Sequence, residues 1–400
     1  MKGFFTKKET ESNIRTDGKT LSCISCGLYK DCKSPRMKPY GNFKRGIMII
    51  GEAPGKEEDN ANLPWQGRTG RLLKRTMKEL GIDIFEDCVS INAVRCRVPD
   101  DKIPTNYEIE CCRRFALRDI NEYKPKVIII LGNSALFSLI GDRWKQSLGG
   151  INKWRGFTIP DQDFKAWLCP TFHPSFIERD EDSPVEVIWK QDLKQAVEMV
   201  DTPFREYKVP EIEYIEDLRV LETLQGPIAF DIETNSLKSQ SKESKIISFA
   251  ICDSNYNVYA FLLPEKKEQL FHLKCLLKNK EIKKYAHNMK FEHSWIYNKL
   301  GYSVQNWTHD SMLMSHILDN RHGVTSLKFQ SLVVLGVWDY ASEITPYFKT
   351  KGDRGGNSIS NIGELLKTKA GERKLLYYNA IDAYNTYLLT ENQLENYASN

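Results

Sequence analysis

Two acidic residues, Asp231 and Glu233, lie two positions apart in the apolar stretch Phe230-Asp231-Ile232-Glu233-Thr234. Gly226-Pro227 precedes this stretch, which predicts a short buried strand entered from a turn. Side chains alternate between the faces of a strand, so both carboxylates point to the same side. Two buried carboxylates repel each other and lose hydration unless a cation lies between them, which indicates a Mg²⁺ or Mn²⁺ site. The alternative is a strand on the surface, where such a pair is solvated.

Two later stretches supply further acidic groups and a phenol. The first, Tyr285-Ala286-His287-Asn288-Met289-Lys290-Phe291-Glu292, ends a predicted strand that begins near Ile282, and it opens a helix. In the second, Tyr378 and Asp382 lie four residues apart in a long amphipathic pattern, one turn apart on a helix face. Carboxylates on a strand and two helices, with a tyrosine, are the parts of a two-metal phosphodiesterase. Its ions clamp the attacking and leaving oxygens.

These three stretches resemble the Exo I, Exo II and Exo III motifs of the DEDD-type 3′→5′ exonucleases, in the branch that carries a tyrosine. The proofreading domains of family A DNA polymerases are similar. The resemblance implies a ribonuclease H-like exonuclease domain with a mixed sheet, two Mg²⁺ or Mn²⁺ ions, and a single-stranded 3′ end of DNA as substrate. It also implies that Tyr378 orients the attacking water and that the metal ligands are Asp231, Glu233, Glu292 and Asp382.

Position 292 departs from the family pattern, which usually has aspartate where this chain has Glu292. The additional methylene keeps the charge, so we expect activity to survive with a changed geometry or rate. Asp310 matches a family landmark that is not a metal ligand, and we expect it to cap the N-terminus of a helix.

Cysteines are concentrated in the first half of the chain, where eight of the ten precede residue 170. The first residues lack the apolar core of a secretory signal, which disfavours disulfides and favours metal ligation. Cys23-Ile24-Ser25-Cys26 alone fits a zinc knuckle or a redox pair, and later candidates are Cys32, Cys96, Cys111 and Cys112. Two close thiolates and two scattered ones also suit an iron–sulfur cluster, which takes four.

The first half also alternates predicted strands with predicted helices, which indicates a parallel α/β sheet with ligands at the carboxyl ends of its strands. Small residues in Gly51-Glu52-Ala53-Pro54-Gly55 follow a buried strand and let the backbone approach a ligand. Pro64-Trp65-Gln66-Gly67-Arg68 opens a helix, Asn92 ends a strand, and Thr171-Phe172-His173-Pro174-Ser175 closes another. Taken singly, the tryptophan is explained as core and the histidine as a helix cap.

Together and in this order, these motifs resemble the iron–sulfur uracil-DNA glycosylases called family 4, over roughly residues 20–200. The resemblance implies a [4Fe–4S] cluster held by Cys23, Cys26, Cys96 and Cys112. Cys111 is an alternative to its neighbour. The resemblance also implies that Trp65 stacks on a flipped base, that Glu52 positions the attacking water and that His173 donates to a uracil oxygen. The amide of Asn92 suits a pyrimidine edge because it both donates and accepts.

Two departures from the glycosylase pattern affect the predicted base pocket. Arg97-Val98-Pro99 stands where the family has Arg-Pro-Pro, and Trp65 is bulkier than the usual phenylalanine. Two functions therefore stay open for the first domain. It is either an active uracil-DNA glycosylase in base-excision repair or a module that only binds DNA or a polymerase partner. Zinc in place of the cluster is a further alternative at the thiols.

Prolines in the segment 201–210 interrupt the helical pattern, which predicts a linker at 201–212. The predicted domains are a glycosylase-like domain at 1–200 and an exonuclease domain at 213–400. The predicted fold class is α/β in both domains: a three-layer glycosylase-type domain with a central parallel sheet, then a domain with a mixed sheet. A polar, glycine-rich loop is predicted at Lys351–Asn357.

The composition, 41% hydrophobic and 28% charged residues, is ordinary for a soluble globular protein. No run of eighteen apolar residues occurs, so we expect no membrane partner and a cytoplasmic location, in a bacterial host cell if the gene belongs to a phage. The net charge is only +4, but residues 1–50 hold 11 lysines and arginines against 4 acidic residues. This basic segment suits phosphate contact, or is a solvated arm.

The sequence thus predicts a 3′→5′ DNA exonuclease of the proofreading type joined to a uracil-DNA glycosylase-like domain. This arrangement resembles that of some bacteriophage DNA polymerases. The expected partners are DNA with a 3′ end, uracil-containing DNA, and a polymerase domain or subunit. We expect the chain to be either a stand-alone nuclease or the leading part of such a polymerase.

Overall fold

The computed structural model describes residue 18 and residues 20–179, 183–348 and 359–398. Contacts divide the chain into two compact units, Met1–Glu206 with Gly336–Trp338, and Tyr207–Leu335 with Asp339–Asn400. The predicted loop at Lys351–Asn357 lies outside the described residues, as do residues 1–17 and 19 of the basic leading segment. No helix in the described part of the chain has the length and apolar character needed to cross a membrane.

The first unit is built on a five-stranded sheet in the order β2-β1-β3-β5-β4. All neighbours are parallel except β4, which runs antiparallel to β5 at one edge. Side chains rich in isoleucine and valine bury both faces of the central strands, as expected for a parallel sheet covered by helices. The strands are β1 (Ile47–Gly51), β2 (Cys88–Asn92), β3 (Val127–Leu131), β4 (Ile159–Asp161) and β5 (Ala166–Thr171).

Helices connect these strands. The longest, Asn106–Tyr123, begins with a capping box in which Thr105 accepts from the backbone N–H of Glu108 and the Glu108 side chain accepts in return. The helices of the first unit are α1 (Cys23–Cys26), α2 (Lys56–Ala61), α3 (Arg68–Glu79), α4 (Asn106–Tyr123), α5 (Gly132–Leu136), α6 (Ile151–Trp154), α7 (Pro174–Ile177) and α8 (Pro184–Glu198).

The second unit has a mixed six-stranded sheet in the order β11-β10-β7-β8-β9-β6. The central strand β7 pairs antiparallel with β8 and parallel with β10. The predicted strand near Ile282 begins two residues later, at Lys284, while Ile282 packs into the core. The strands are β6 (Ile212–Tyr214), β7 (Ile228–Thr234), β8 (Ile246–Cys252), β9 (Val258–Leu262), β10 (Lys284–Ala286) and β11 (Trp307–Asp310).

A long helix, α14, packs on one face of this sheet, and its alanines meet alanines of the strands, so helix and sheet approach closely. The opposite face carries a larger aromatic and aliphatic core. The helices are α9 (Lys267–Lys278), α10 (Met289–Leu300), α11 (Ser311–Leu318), α12 (Leu327–Leu335), α13 (Thr345–Phe348) and α14 (Lys369–Ala398). Two α/β units, the second with a mixed sheet, confirm the predicted fold class.

Candidate functional site

The acidic site of the second unit forms where β7 faces α14. Alternate residues of β7, Ile228, Phe230 and Ile232, enter the large core on the other face of the sheet. Asp231 and Glu233 therefore point toward α14, as the strand alternation predicts. On α14, Ala380 and Ala383 are fully buried, and their small side chains let the helix bring Asp382 close to the strand.

Three of the four predicted metal ligands converge. Ligand oxygens of Asp231, Glu233 and Asp382 all lie within 4.8 Å of one another. Glu292, in the first turn of α10, is not in that group of three. Its carboxylate is nevertheless buried, and the negative charge of Asp231 raises its pKa. The Oε2 atom of Glu292 has no hydrogen-bond partner. A buried carboxylate oxygen with no partner is costly, so this group of four suits divalent ions with oxygen ligands.

Burial and mutual repulsion perturb these acids strongly. Burial raises the pKa of Asp231 well above its usual value, and the charge of Asp382 raises it further. The pKa of Glu233 is also raised well above normal, first by burial and then by the charges of Asp231 and Asp382. Burial, followed by the charge of Asp231, raises the pKa of Glu292. When no cation is bound, burial and repulsion therefore shift Asp231, Glu233 and Glu292 toward the protonated form relative to free carboxyls.

Hydrogen bonds hold the carboxylates in position. The amide nitrogen of Asn379 donates to Asp231 Oδ2 at 2.7 Å. The Ser248 hydroxyl in turn donates to Asn379 Oδ1 at 2.8 Å. Tyr340 donates to Asp382 Oδ1 at 2.5 Å, and the ammonium of Lys328 forms an ion pair with the same oxygen. Sequence reasoning gave none of these four residues a role. Asn379 is adjacent to Tyr378, but Lys328 and Tyr340 lie between the second and third motifs and belong to neither.

The predicted water-orienting phenol, Tyr378, is buried on α14 one turn before Asp382. Burial raises its pKa well above the usual value, and the nearby charges of Asp382 and Glu233 add to the effect. The phenol therefore stays neutral near pH 7 and can both donate and accept a hydrogen bond. Asp310 caps α11 by accepting from the backbone N–H groups of Met312 and Leu313, which confirms its predicted structural role.

In the first unit, the predicted base pocket lies at the carboxyl ends of β1 and β2. A Cβ on Gly51 would lie 2.5 Å from Asn92 Oδ1 and 3.0 Å from an atom of the Trp65 ring, so only glycine fits between them. The indole N–H of Trp65 donates to Ser90 Oγ at 2.9 Å, and its side chain is buried. Trp65 is thus held as part of the core, and its ring centroid lies 6.3 Å from that of His173.

His173 and Glu52 also have defined partners. His173 is the N-cap of α7, and its Nδ1 accepts from the backbone N–H of Ser175 at 3.3 Å. Burial lowers the pKa of His173 to about 4, so the ring is neutral near pH 7, with Nε2 as its donor nitrogen. Ser134 donates to Glu52 Oε2 at 2.7 Å, a contact that the sequence did not indicate. The cap interpretation and a donor role are compatible because they use different ring nitrogens.

Four cysteines line one pocket in the first unit together with Arg36, Arg95 and Phe115; they are Cys23, Cys26, Cys96 and Cys112. Cys111 does not line this pocket. Burial raises the pKa of Cys112 to about 12, and that of Cys26 and of Cys96 to about 11. Ionised thiols there need a compensating cation.

Two family models match the chain. Residues 38–194 match the uracil DNA glycosylase superfamily, and residues 211–392 match a 3′-5′ exonuclease family. A type-4 uracil-DNA glycosylase of Thermotoga maritima is 36% identical over 174 residues, which cover 44% of this chain and 87% of the relative. The corresponding enzyme of Pyrobaculum aerophilum is 35% identical over 164 residues, covering 40% and 80%.

A DNA polymerase of Bacillus phage SP01 is 24% identical over 331 residues, which cover 73% of this chain but only 34% of the polymerase. Among solved structures, Brucella melitensis NrnC is 16% identical over 46% of this chain and 78% of its own, with a TM-score of 0.33. Escherichia coli RNase D, an exoribonuclease involved in structured RNA processing, is 13% identical. The match covers 46% of this chain and 44% of RNase D, with a TM-score of 0.33. The chain belongs to the type-4 uracil-DNA glycosylase family through its first half, and this glycosylase domain is fused to a 3′-5′ exonuclease domain.

Proposed function

We propose that this protein removes nucleotides from the 3′ end of a DNA strand by two-metal hydrolysis. The observation that carries the proposal is the convergence of the Asp231, Glu233 and Asp382 oxygens within 4.8 Å of one another. The buried and unpartnered oxygen of Glu292 supports a fourth ligand on the same site. A structural ion-pair cluster would balance these acids with an equal number of basic groups, whereas the pKa values of three of them stay raised.

Asp231, Glu233, Glu292 and Asp382 would hold the divalent ions, which supply Lewis acidity and charge stabilisation when bound. The residues of this chain prepare that site. Asn379 fixes the orientation of Asp231, while Tyr340 and Lys328 both bind Asp382 Oδ1. The neutral phenol of Tyr378 lies on the same helix face as Asp382, where it can hydrogen-bond a water molecule and keep it aligned for attack.

The test is digestion of a 3′-labelled single-stranded oligonucleotide in Mg²⁺ by the double variant Asp231→Ala, Glu233→Ala. We expect a rate at least 10³-fold lower than that of the parent protein, because oriented electrostatic stabilisation is usually the largest contribution to such catalysis (roughly 3–4 kcal/mol for a single donor). A matched variant, Glu265→Gln, removes an exposed carboxylate in the same unit and should digest normally. Normal digestion by the double variant would refute the assignment.

A second function, uracil excision, is favoured by the first unit. His173 is neutral and has Nε2 as its donor nitrogen, which suits stabilisation of the uracil oxygen that gains charge as the glycosidic bond breaks. Ser134 holds Glu52, the residue that would orient water toward the sugar carbon. Asn92 offers both a donor and an acceptor to a flipped pyrimidine.

Excision is tested with a uracil-containing oligonucleotide in EDTA, which silences metal-dependent digestion, followed by alkaline cleavage of abasic sites. We expect strand breaks at uracil, reduced about 10²-fold or more in His173→Ala. His316→Ala, an exposed histidine of α11, is the control and should leave cleavage unchanged. Absence of breaks with the parent protein would leave binding of DNA or of a partner as the function of this domain.

The thiol pocket suits a [4Fe–4S] cluster. Among the described residues, no three of these thiols have sulfurs within 4.8 Å of one another, whereas tetrahedral zinc with bonds of about 2.3 Å would draw them closer. The backbone N–H of Arg36 donates to Cys96 Sγ at 3.3 Å, a contact that favours a thiolate. Cys23, Cys26, Cys96 and Cys112 would hold the cluster, which supplies structural rigidity to these loops when bound.

The likeness to a phage DNA polymerase supports one further proposal about partners. The polymerase shares sequence with 73% of this chain, across both units. We therefore propose that the protein acts beside a polymerase domain or subunit, in the cytoplasm of a bacterial host, and removes misincorporated nucleotides.

A further inference from the structure

Among the described residues, the lysine Lys328 lies against the proposed metal site and pairs with one of its acids. It is the second residue of α12 and is mostly buried, with 17% of its side chain exposed. Its ammonium forms an ion pair with Asp382 Oδ1 and donates to the Tyr340 hydroxyl at 3.0 Å. The same nitrogen lies 4.2 Å from the ring centroid of Tyr340 and 4.1 Å from that of Tyr378. One ammonium therefore contacts a proposed metal ligand and the proposed water-orienting phenol.

Both kinds of contact stabilise a charged lysine at this position. Aromatic faces attract a cation within about 6 Å of the ring centroid, and a partly desolvated pair contributes more than an exposed one. The carboxylate of Asp382 adds a direct charge–charge attraction. Among the described residues, Lys328 is the basic group that has an ion pair with this acidic cluster. Its charge also opposes the rise in the pKa of Asp231 and of Glu233.

The bound ammonium and a divalent ion would use the same acceptor. Asp382 Oδ1 accepts from both Tyr340 and Lys328, so this oxygen is fully engaged. A divalent ion that binds Asp382 through this oxygen displaces the ammonium, and in any other geometry it is repelled by a positive charge a few ångströms away. Metal binding and the position of Lys328 are therefore thermodynamically linked, whichever oxygen the ion takes.

We propose that Lys328 is an internal counter-ion of the acidic site, which occupies Asp382 before metal binds and sets the metal concentration that the site requires. Its contact with the Tyr378 ring makes it also a positioning residue for that phenol. This inference rests on the proposed metal site and adds to it a competitor supplied by the protein itself. It predicts that the site binds divalent ions more weakly than four acidic ligands alone would.

The test is direct binding of Mn²⁺, measured from the electron paramagnetic resonance signal of free Mn²⁺, which needs no substrate. Lys328→Met keeps most of the length of the side chain and removes the charge. We expect Lys328→Met to bind Mn²⁺ at least tenfold more tightly than the parent protein. Lys328→Arg keeps the charge and should bind within about threefold of the parent. The control Lys278→Met, at an exposed position of α9, should bind Mn²⁺ with the affinity of the parent protein.

A second readout separates competition from a structural role. In digestion of a 3′-labelled strand, Lys328→Met should reach half-maximal rate at a lower Mg²⁺ concentration, while its maximal rate falls several-fold because Tyr378 loses a contact. A residue needed only for packing would lower the rate and leave the Mg²⁺ dependence unchanged, which would overturn the proposal.

Tyr340→Phe tests the same geometry with the lysine in place, and it serves if Lys328→Met does not fold. Loss of the Tyr340 hydroxyl removes one partner of the ammonium and one of Asp382. We expect tighter Mn²⁺ binding by about two- to fivefold. Unchanged affinity in the folded variants overturns the role of Lys328. Absence of Mn²⁺ binding in the parent protein itself would instead refute the metal site on which the proposal rests.

Discussion

Removing one charge from the acidic site should stabilise the metal-free protein. The change is Glu233→Gln, studied in EDTA at pH 8. In the parent protein Glu233, Asp231 and Asp382 have oxygens within 4.8 Å of one another, and burial raises the pKa of two of them. Glutamine has nearly the same shape and no charge, so it relieves two repulsions at once. Catalysis should be lost in the same variant because a proposed metal ligand is gone.

The size of the effect follows from the distances. Two unit charges 4.8 Å apart interact by about 3.5 kcal/mol at an effective dielectric constant of 20, so two repulsions amount to roughly 7 kcal/mol. The substitution also loses an attraction to Lys328, and Glu233 is partly exposed, so solvent screens a large part of the repulsion. If these two effects offset about two-thirds of the repulsion, a net gain of roughly 2–3 kcal/mol remains. For a domain of this size that raises the melting temperature by about 5–10 °C.

The pH dependence has a definite sign. The pKa of Asp231 and that of Glu233 are higher in the folded state than in the unfolded state. At a pH between the unfolded and the folded pKa of either residue, the folded state therefore binds more protons than the unfolded state. Stability therefore falls as pH rises through this window and recovers when the pH is lowered. In EDTA the melting temperature of the parent protein should be higher at pH 5, just above the ordinary carboxyl pKa values, than at pH 8. Glu233→Gln should reduce that difference.

The assay is thermal unfolding by circular dichroism in EDTA at both pH values, repeated with excess Mg²⁺. Glu265→Gln, an exposed carboxylate in the same unit, is the control and should change neither melting temperature nor pH dependence. Mg²⁺ should stabilise the parent protein more than it stabilises Glu233→Gln. If Glu233→Gln melts at the same temperature as the parent or lower at pH 8 in EDTA, the carboxylates do not repel one another as inferred.

Two further predictions concern individual ligands. Glu292→Asp shortens the reach of a buried carboxylate from α10, so the rate of 3′-end digestion should fall about tenfold and the Mg²⁺ requirement should rise. Glu292→Ala should lose more activity still, and a parental rate in Glu292→Ala would show that the residue is not a ligand. Cys112→Ser should abolish the iron content and visible absorbance of the anaerobically purified protein, whereas Cys111→Ser, whose side chain does not line the thiol pocket, should keep both. Loss of the cluster in Cys111→Ser alone would reverse the assignment.

Much of the site was predictable because its residues lie in local patterns. The alternation of β7 is enough to place Asp231 and Glu233 on one side, and the helical spacing of Tyr378 and Asp382 places them on one face. Asp310 matches a family landmark and is of a residue type favoured at helix N-caps, and the structure confirms the cap. Such inferences depend only on backbone periodicity, which the order of residues determines directly.

The interactions that tune the site could not be read in this way. Lys328 reaches Asp382 from a helix 54 residues earlier in the chain, and Ser134 reaches Glu52 across 82 residues. No periodicity or motif links such pairs, because their proximity comes from the packing of whole elements. Tertiary packing also distinguishes Cys112 from the adjacent Cys111. The face that α4 turns toward the α1 loop determines that Cys112, and not Cys111, lines the pocket.

The amino-acid sequence by itself determined two α/β domains and the side chains able to carry out chemistry in each, because strand and helix periods and residue types are local properties. Tertiary structure alone decided which charges meet. It set three carboxylates against one lysine, raised the pKa values of Asp231 and Glu233 through burial, and so established how strongly the site demands a divalent cation.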